Sequence, residues 1–368
     1  MNNLLIALIS FLVFFCGLAI ERSLLKKRRK KLRIAVQVNG TRGKSETVRL
    51  VHGALRGNGY RVLGKTTGTV PLWILPDGRH EEIKRNGPAN IQEQYKALRE
   101  AERLDCDAVV VECMAIRPEM QLASGRIIDA DLTIITNTYP DHIEEIGATE
   151  EETARVLALS IPAGKKCLAG SLSEKALEEL GRKCERIGAE LSAVNGSEIE
   201  IDELSFRPHP ENLKLVNSFV ELFGLDSQKA IEGMRETKPD VGSFRYMRLP
   251  LESGTAIISN AFAANDMRST LQLLEITRRD FSDREIVGFF NSRDDRPDRA
   301  LVFEPLMRQF GRLIVRGPVP YRMGKQINHL KLKDIESLKA LLKDGDIVFG
   351  FGNIRGLVNW LNGLEVVE

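Results

Sequence analysis

Residues 32–46 constrain this chain more than any other stretch. Ile34, Ala35, Val36 and Val38 form a short apolar run of the kind a buried strand needs. Gly40 to Ser45 turn the chain, and Val48, Val51 and Leu55 then recur at helical spacing. A strand, a turn ending in Gly43-Lys44-Ser45 and a helix make a phosphate cradle, because backbone N–H groups and the positive helix end both face an anion. Lys44 would reach the terminal phosphates and the Ser45 hydroxyl would hold Mg²⁺. The common form of the loop has a glycine five residues before its second glycine. Here Val38 stands at that place, and Gly40 lies three before Gly43. Taken alone, the loop leaves open a tight strand–helix turn with a surface lysine.

The 368 residues have room for two domains and an extra segment. Fifty-three basic residues against 51 acidic ones leave a net charge of +2, so no global basic field argues for nucleic acid. The five cysteines are scattered and form no C-x-x-C pair, which argues against a zinc site or a disulfide framework and for reduced thiols.

One local cluster is hidden by that balance. Leu4 to Ile20 form an apolar run of 17 residues, at the short end for a membrane span. A secretory signal would need a basic residue before the run and a small-x-small site after it. Asn2 and Asn3 precede it, Glu21 to Leu25 come after it, and then Lys26, Lys27, Arg28, Arg29, Lys30, Lys31 and Arg33. Basic residues beside a span stay cytoplasmic. The expectation is an uncleaved single-pass anchor in the cell membrane with everything after Glu21 in the cytoplasm, and a basic block able to touch anionic lipid.

Beyond the loop, short apolar runs alternate with helical patterns, the mark of parallel α/β layers. Strands are expected at Tyr60–Leu63, Ala108–Val111 and Leu132–Thr136, and helices at Asn90–Arg103, Thr149–Ser160 and Leu213–Phe223. A second α/β pattern has strands at Ala256–Ser259, Ile286–Phe290, Leu313–Val315 and Ile347–Phe351. Its expected helices are Met267–Ile276, Ala300–Gln309 and Ile335–Lys343. The expected domains are an anchor over 1–31, a phosphate-loop domain over 32–243 and a smaller Rossmann-like domain over 244–368. Ligands of open α/β sheets collect at the carboxyl ends of strands. Lys44, Glu112 and Asn137 all fall there, followed by Asp141 and His142, a metal ligand by type. Glu112 alone could equally be a capped loop acid. His52, set among apolar residues, is more often core than ligand.

Together these segments resemble the Mur ligase superfamily of ATP-dependent amide ligases. In that family the loop reads Gly-Thr-Asn-Gly-Lys-Thr/Ser, matched here by Gly40, Thr41, Arg42, Gly43, Lys44 and Ser45 with Arg in place of Asn. Asn137, Asp141 and His142 match its Asn-x-x-x-Asp-His segment. The resemblance implies that Asn137 contacts adenine and that Ser45, Glu112 and His142 serve Mg²⁺, with Mn²⁺ able to take its place. His209 to Asn212 resemble an Asn-bearing helix start, and Gly242 to Arg245 a linker whose Arg245 contacts ATP. Ser259 to Arg268, with Asn265, and the Asp295 to Arg299 loop resemble segments of the last domain. The family often carries a carbamylated lysine in the helix after the Asp-His segment. Thr149–Ser160 has none, its one basic residue being Arg155. Either the second metal is held differently or substrate carboxylates contribute.

Within the superfamily, the anchor, Thr66-Thr67-Gly68-Thr69, Gly87 to Gln94 and Glu112 to Glu119 are similar to the ligase subunits of poly-γ-glutamate synthases. That resemblance implies glutamate and its polymer as substrates and a multi-pass membrane subunit as partner in a hetero-oligomer. A folate-type polyglutamylase, or an anchored NTPase driving polymer assembly or export, are the alternatives. Catalysis would fall to Lys44, His142 and Arg245, under closure of the last domain over the loop. Lys65, Thr66, Thr67, Arg117 and Arg296, with Arg42, would meet the anionic substrate.

Overall fold

The computed structural model describes residues 3–68, 70–85, 87, 89–194, 208–264, 266–293 and 297–367. Asn265, Asp295 and Arg296, all singled out above, lie outside these residues, as does Thr69. Two compact units are present: the described residues up to Lys238 form the first, except Pro208, which joins those from Pro239 onward in the second.

The first unit opens with α1 (Asn3–Lys31), whose apolar window has a mean hydropathy of 2.6 and is wholly exposed. It is long and apolar enough to cross a membrane. The helix does not stop at the end of the apolar run. It continues through the basic block, where Arg28 to Lys31 oppose the negative carbonyl end. There Arg28 and Lys31 pair with Glu102 at 2.8 and 2.7 Å, and Arg29 pairs with Asp131 at 2.6 Å. The two cations hold the Glu102 carboxyl down to about 2, Lys31 contributing most.

Eight strands complete the sheet of this unit: β1 (Ile34–Asn39), β2 (Val62–Thr66), β3 (Leu72–Ile74), β4 (His80–Glu82), β5 (Ala108–Glu112), β6 (Leu132–Ile135), β7 (Lys166–Ala169) and β8 (Glu190–Ala193). Their order in the sheet is β4-β3-β2-β5-β1-β6-β7-β8. Only the β3–β4 hairpin, which the sequence reading missed, runs antiparallel to its neighbours. The helices are α2 (Lys44–Gly57), α3 (Gln92–Arg103), α4 (Pro118–Ile128), α5 (Ile143–Ile146), α6 (Glu150–Leu157), α7 (Glu174–Ile187), α8 (Pro210–Leu222) and α9 (Ser227–Arg235). β1 and β5 are buried along their whole length, as expected of central parallel strands covered on both faces. The Thr149–Glu152 capping box that opens α6 is formed in both directions.

β2 corrects one expectation. It begins two residues later than Tyr60 and runs through Lys65 and Thr66, which are therefore strand, not loop. His52, on α2, is buried with its Nε2 3.2 Å from the Val62 carbonyl, and burial lowers its pKa to about 4.

The second unit holds a seven-stranded sheet. Its strands are β9 (Tyr246–Leu251), β10 (Gly254–Asn260), β11 (Ile286–Asn291), β12 (Leu313–Arg316), β13 (Leu330–Leu332), β14 (Ile347–Gly352) and β15 (Glu365–Val366), in the order β13-β12-β11-β14-β10-β9-β15. β9 is antiparallel to both β10 and β15, and the remaining pairs are parallel. The helix expected over Met267–Ile276 runs to Asp280. The helix expected over Ala300–Gln309 is instead a 3₁₀ segment, Pro297–Phe303, followed by a four-residue turn, Glu304–Met307. Pro305 explains the break: with no N–H it cannot continue an α-helical ladder. Ile335–Lys343 likewise shortens to a 3₁₀ segment, Glu336–Leu341. Strand-end side chains here turn inward. The Asn260 amide donates to the carbonyls of Val241 and Ser243, and the Asn291 amide donates to those of Asn353 and Arg355.

Candidate active site

β1 pairs with β5 on one side and β6 on the other, and β5 pairs with β2. The sheet order therefore changes direction at β1, the crevice where α/β proteins bind ligands. Four adjacent parallel strands deliver their carboxyl ends to one place. β1 supplies the glycine loop, β5 supplies Glu112, β6 supplies Asn137, and β2 supplies Thr66 and Thr67.

The loop needs its glycines. Gly40 has φ 127°, and a Cβ there would stand 2.0 Å from Thr136 Oγ1. Gly43, in the left-handed region at φ 78°, caps α2, and a Cβ would press on the Asn212 side chain at 2.5 Å. Asn137 braces the loop. Its Oδ1 accepts from Thr41 Oγ1 at 2.7 Å and from the Arg42 N–H at 2.9 Å, while Nδ2 donates to the Arg42 carbonyl at 3.1 Å. Both polar atoms of this buried side chain are engaged by the loop, so it fixes the cradle's shape.

Lys44 folds back onto its own loop, donating to the Gly40 carbonyl at 2.8 Å and the Thr41 carbonyl at 3.3 Å. Desolvation lowers its ammonium below the ordinary lysine value, against the attraction of Glu112. Ser45 Oγ donates to Glu112 Oε2 at 2.7 Å, and the Thr67 N–H donates to the same oxygen at 2.7 Å. A buried carboxylate beside a hydroxyl is a pair of hard oxygen donors, the chemistry Mg²⁺ and Mn²⁺ select. Among the described residues no group of three or more His, Cys, Asp and Glu side chains is gathered for a metal. This pair fits a cation that completes its shell with phosphate oxygens and water.

A cavity of about 310 Å³ opens over the loop, and Lys44, Glu112, Thr67 and His142 all line it. His142 sits at φ 47°, held by its N–H donating to Asp141 Oδ1 at 3.0 Å, and its ring makes no hydrogen bond among the described residues. Asp141 also takes Arg42 Nη1 at 2.8 Å. Arg42, the residue that departs from the family's loop, thus anchors the Asp141–His142 turn.

The substrate cations fall out differently. Lys65 is fully buried, its Nζ 3.3 Å from Glu93 Oε2 and 3.5 Å from Gln94 Oε1, and burial lowers its pKa. Glu93 is held in turn by Arg85 at 2.7 Å. Lys65 is therefore an internal ion-pair member and is not available to a polymer, because β2 carries it into the sheet. Thr66 is buried too, whereas Thr67 reaches the cavity. Arg117 is exposed at the start of α4 and does not line the cavity. Arg245 lies in the second unit with its Nε buried and unpaired among the described residues, and desolvation lowers its pKa. Arg155 of α6 pairs at the surface with Glu179 and Glu151, so no basic side chain of α6 lines the cavity.

A Mur ligase middle-domain model matches residues 38–159, and a model of the poly-gamma-glutamate synthase CapB C-terminal domain matches residues 248–364. These matches make the chain similar to Mur-type ligases in its first unit and to CapB in its second. Capsule biosynthesis protein CapB of Bacillus anthracis is 28% identical over 359 residues, spanning 90% of this chain and 76% of the relative. PGA synthase CapB of Bacillus subtilis is 29% identical over 374 residues, 94% of each. Among solved structures, a bifunctional folylpolyglutamate synthase/dihydrofolate synthase from Yersinia pestis, complexed with AMPPNP and a Mn ion, superposes with a TM-score of 0.70 at 15% identity. It covers 93% of this chain and 92% of the other. A folylpolyglutamate synthase from Thermotoga maritima gives 0.65 at 15% identity over 97% and 96%. At that identity the likeness is one of fold.

Two parts of the site were not found from the sequence. Glu46, directly after Ser45, is half-buried and accepts from the His209 N–H at 2.8 Å and from Asn212 Nδ2 at 2.7 Å. Burial raises its pKa, opposed by those two hydrogen bonds. This ties the start of α8 to the phosphate loop. Behind the loop, Asn39 Nδ2 donates to Gln121 Oε1 at 2.7 Å and Ser160 Oγ at 2.9 Å, and its Oδ1 accepts the Gly40 N–H. The signal was present: Gln37 and Asn39 are polar residues inside an otherwise apolar strand, and buried amides need partners.

Proposed function

We propose that this chain is an ATP-dependent, ADP-forming ligase that extends poly-γ-glutamate. The γ-carboxylate at the chain end is phosphorylated by ATP, and the amine of an incoming glutamate attacks the acyl phosphate, forming the amide and releasing phosphate. The observation that carries this reading is the Ser45–Glu112 pair beside Lys44 and the glycine loop, in a chain that matches both a Mur ligase middle domain and a CapB C-terminal domain.

The loop N–H groups and the end of α2 receive the phosphates. Lys44 moves from the loop carbonyls onto the terminal phosphates, and its charge grows in value as water leaves. Ser45 and Glu112 would hold Mg²⁺, whose charge would offset that of the phosphates. Asn137 and Glu46 keep the loop from collapsing when it is empty. His142 faces the same cavity with its ring nitrogens uncommitted, and we assign it a second metal or substrate oxygen. Arg245 is the second unit's contribution to ATP. Arg117 and Arg296 remain the proposed substrate cations, and Lys65 is withdrawn from that role. α1 anchors the chain with both units on the cytoplasmic side, in keeping with the basic residues after Glu21. A single span makes no channel, so export calls for a multi-pass partner.

The test is phosphate release from membranes supplied with ATP and Mg²⁺. Release that depends on glutamate, with ADP as the product, supports the ligase. Turnover indifferent to glutamate would show an NTPase, and transfer to a folate in place of polymer would show a folate-type enzyme.

A further inference from the structure

A second cavity, larger than the one over the phosphate loop, lies elsewhere in the first unit. It holds about 630 Å³ and lies where the basic end of α1 meets α4, α7 and the segment after α6. Lys26, Arg29, Lys30, Arg126 and Lys183 rim it. Arg29 is committed to Asp131, but the other four make no hydrogen bond or ion pair among the described residues. The one acid lining it is Asp129, whose carbonyl accepts Arg29 Nε at 2.9 Å. One wall is apolar, formed by Leu25, Leu122, Ile161 and Ile187.

Depth decides what this cavity meets, and the site depends on α1 being the anchor. The apolar run of α1, residues 4–20, rises about 26 Å at 1.5 Å per residue, less than the roughly 30 Å of a bilayer's hydrocarbon core. A short span draws its flanking residues into the boundary. Leu24 and Leu25 then sit at the edge of the hydrocarbon, and Lys26 to Lys30 lie among the headgroups. The cavity thus opens at headgroup level, with cations on its rim and an apolar wall toward the acyl chains.

We infer that this cavity is a binding site for an anionic phospholipid of the surrounding bilayer, built jointly by the anchor and the catalytic body. The phosphate would lie among Lys26, Lys30, Arg126 and Lys183, and the glycerol and first acyl carbons against Leu25, Leu122 and Ile187. A polyglutamate strand is the competing anion. It would need a run of cations along its length and has little use for an apolar wall, so the lining favours lipid.

The experiment uses the full chain in a non-ionic detergent, titrated with phosphatidylglycerol or with phosphatidylcholine of the same acyl chains. Bound lipid is counted by native mass spectrometry. Phosphatidylglycerol should bind about tenfold more tightly, as expected from a few basic contacts near a headgroup. Arg126→Glu with Lys183→Glu should erase the preference. Lys175→Glu with Arg186→Glu, the same charge change on α7 away from the cavity, should leave it intact. Equal binding of the two lipids, or a preference retained by the first double variant, overturns the site. Displacement of phosphatidylglycerol by soluble poly-γ-glutamate at lower concentration would assign the cavity to polymer and overturn it too. A full chain that does not sediment with membranes would remove the anchor, and this site with it, whereas ligase turnover reports on the phosphate loop alone.

Discussion

The two units use nearly the same sheet to opposite ends. Each is a mostly parallel sheet with polar residues where its central strands stop. In the second unit those residues are spent on the fold: Asn260 and Asn291 tie loop carbonyls, and Arg316 Nη1 donates to Asn291 Oδ1 at 2.8 Å. In the first unit the equivalent positions face a cavity. Among the described residues the Ser45 hydroxyl and the Glu112 carboxylate hydrogen-bond only to each other and to one loop N–H, and Lys44 rests on carbonyls it can leave. The sheet supplies a platform, and the loop residues after each strand decide whether that platform is closed or reactive.

Four measurements would break or sharpen this contrast. The largest effect is expected for Lys44→Ala, which should lower the rate of glutamate incorporation about a thousandfold, some 4 kcal/mol of transition-state stabilisation, with the circular dichroism spectrum unchanged. Activity near wild type would mean the first unit's strand ends are as structural as the second's. Next, Lys65→Met strands Glu93 beside Arg85 and should cost about 3 kcal/mol of stability while leaving KM for polymer unaltered. A raised KM without loss of stability would return Lys65 to the substrate.

Third is pH. His52 is held neutral in the fold, with its pKa lowered to about 4, whereas the unfolded chain protonates it near 6.5. The unfolded state therefore binds more protons as pH falls through 6.5 toward 4, and the fold loses stability over that window. The loss should be about 2 kcal/mol between pH 7.5 and 5, measured by denaturant unfolding. His52→Leu should flatten the profile, and an unchanged slope in that variant would place the acid sensitivity elsewhere. The smallest effect is expected for Asn291→Ala. It should cost about 1–2 kcal/mol in calorimetry, with kcat unchanged. A drop in kcat would show that the second unit's strand ends take part in chemistry.

Much of the site was legible because its parts are local. The glycine loop is contiguous, and Glu112 and Asn137 each end an apolar run, so strand-end logic found them without contacts. The parts that stayed hidden depend on residues far apart in the chain. Arg42 meets Asp141, Glu46 meets Asn212, and Asn39 meets Ser160, and no periodicity reports such pairs. Lys65 was misplaced for a different reason. A Lys-Thr-Thr-Gly stretch reads as a polar loop, but its first two residues are drawn into the sheet by pairing with β5 and the β3–β4 hairpin. In the second unit, Pro305 marks where the expected Ala300–Gln309 helix breaks after its 3₁₀ segment.

As the proposed anchor, α1 is also a stiff drive shaft. α1 runs from its apolar end into Arg28, Arg29 and Lys31 with no swivel between them, and those residues are bolted to Glu102 and Asp131. Turning the span turns the catalytic body by the same angle. One residue inserted after Leu25 would swing the phosphate loop about 100° around the membrane normal and leave every active-site contact intact. For the proposed ligase, with its proposed partner in the same bilayer, that change would be a loss of aim.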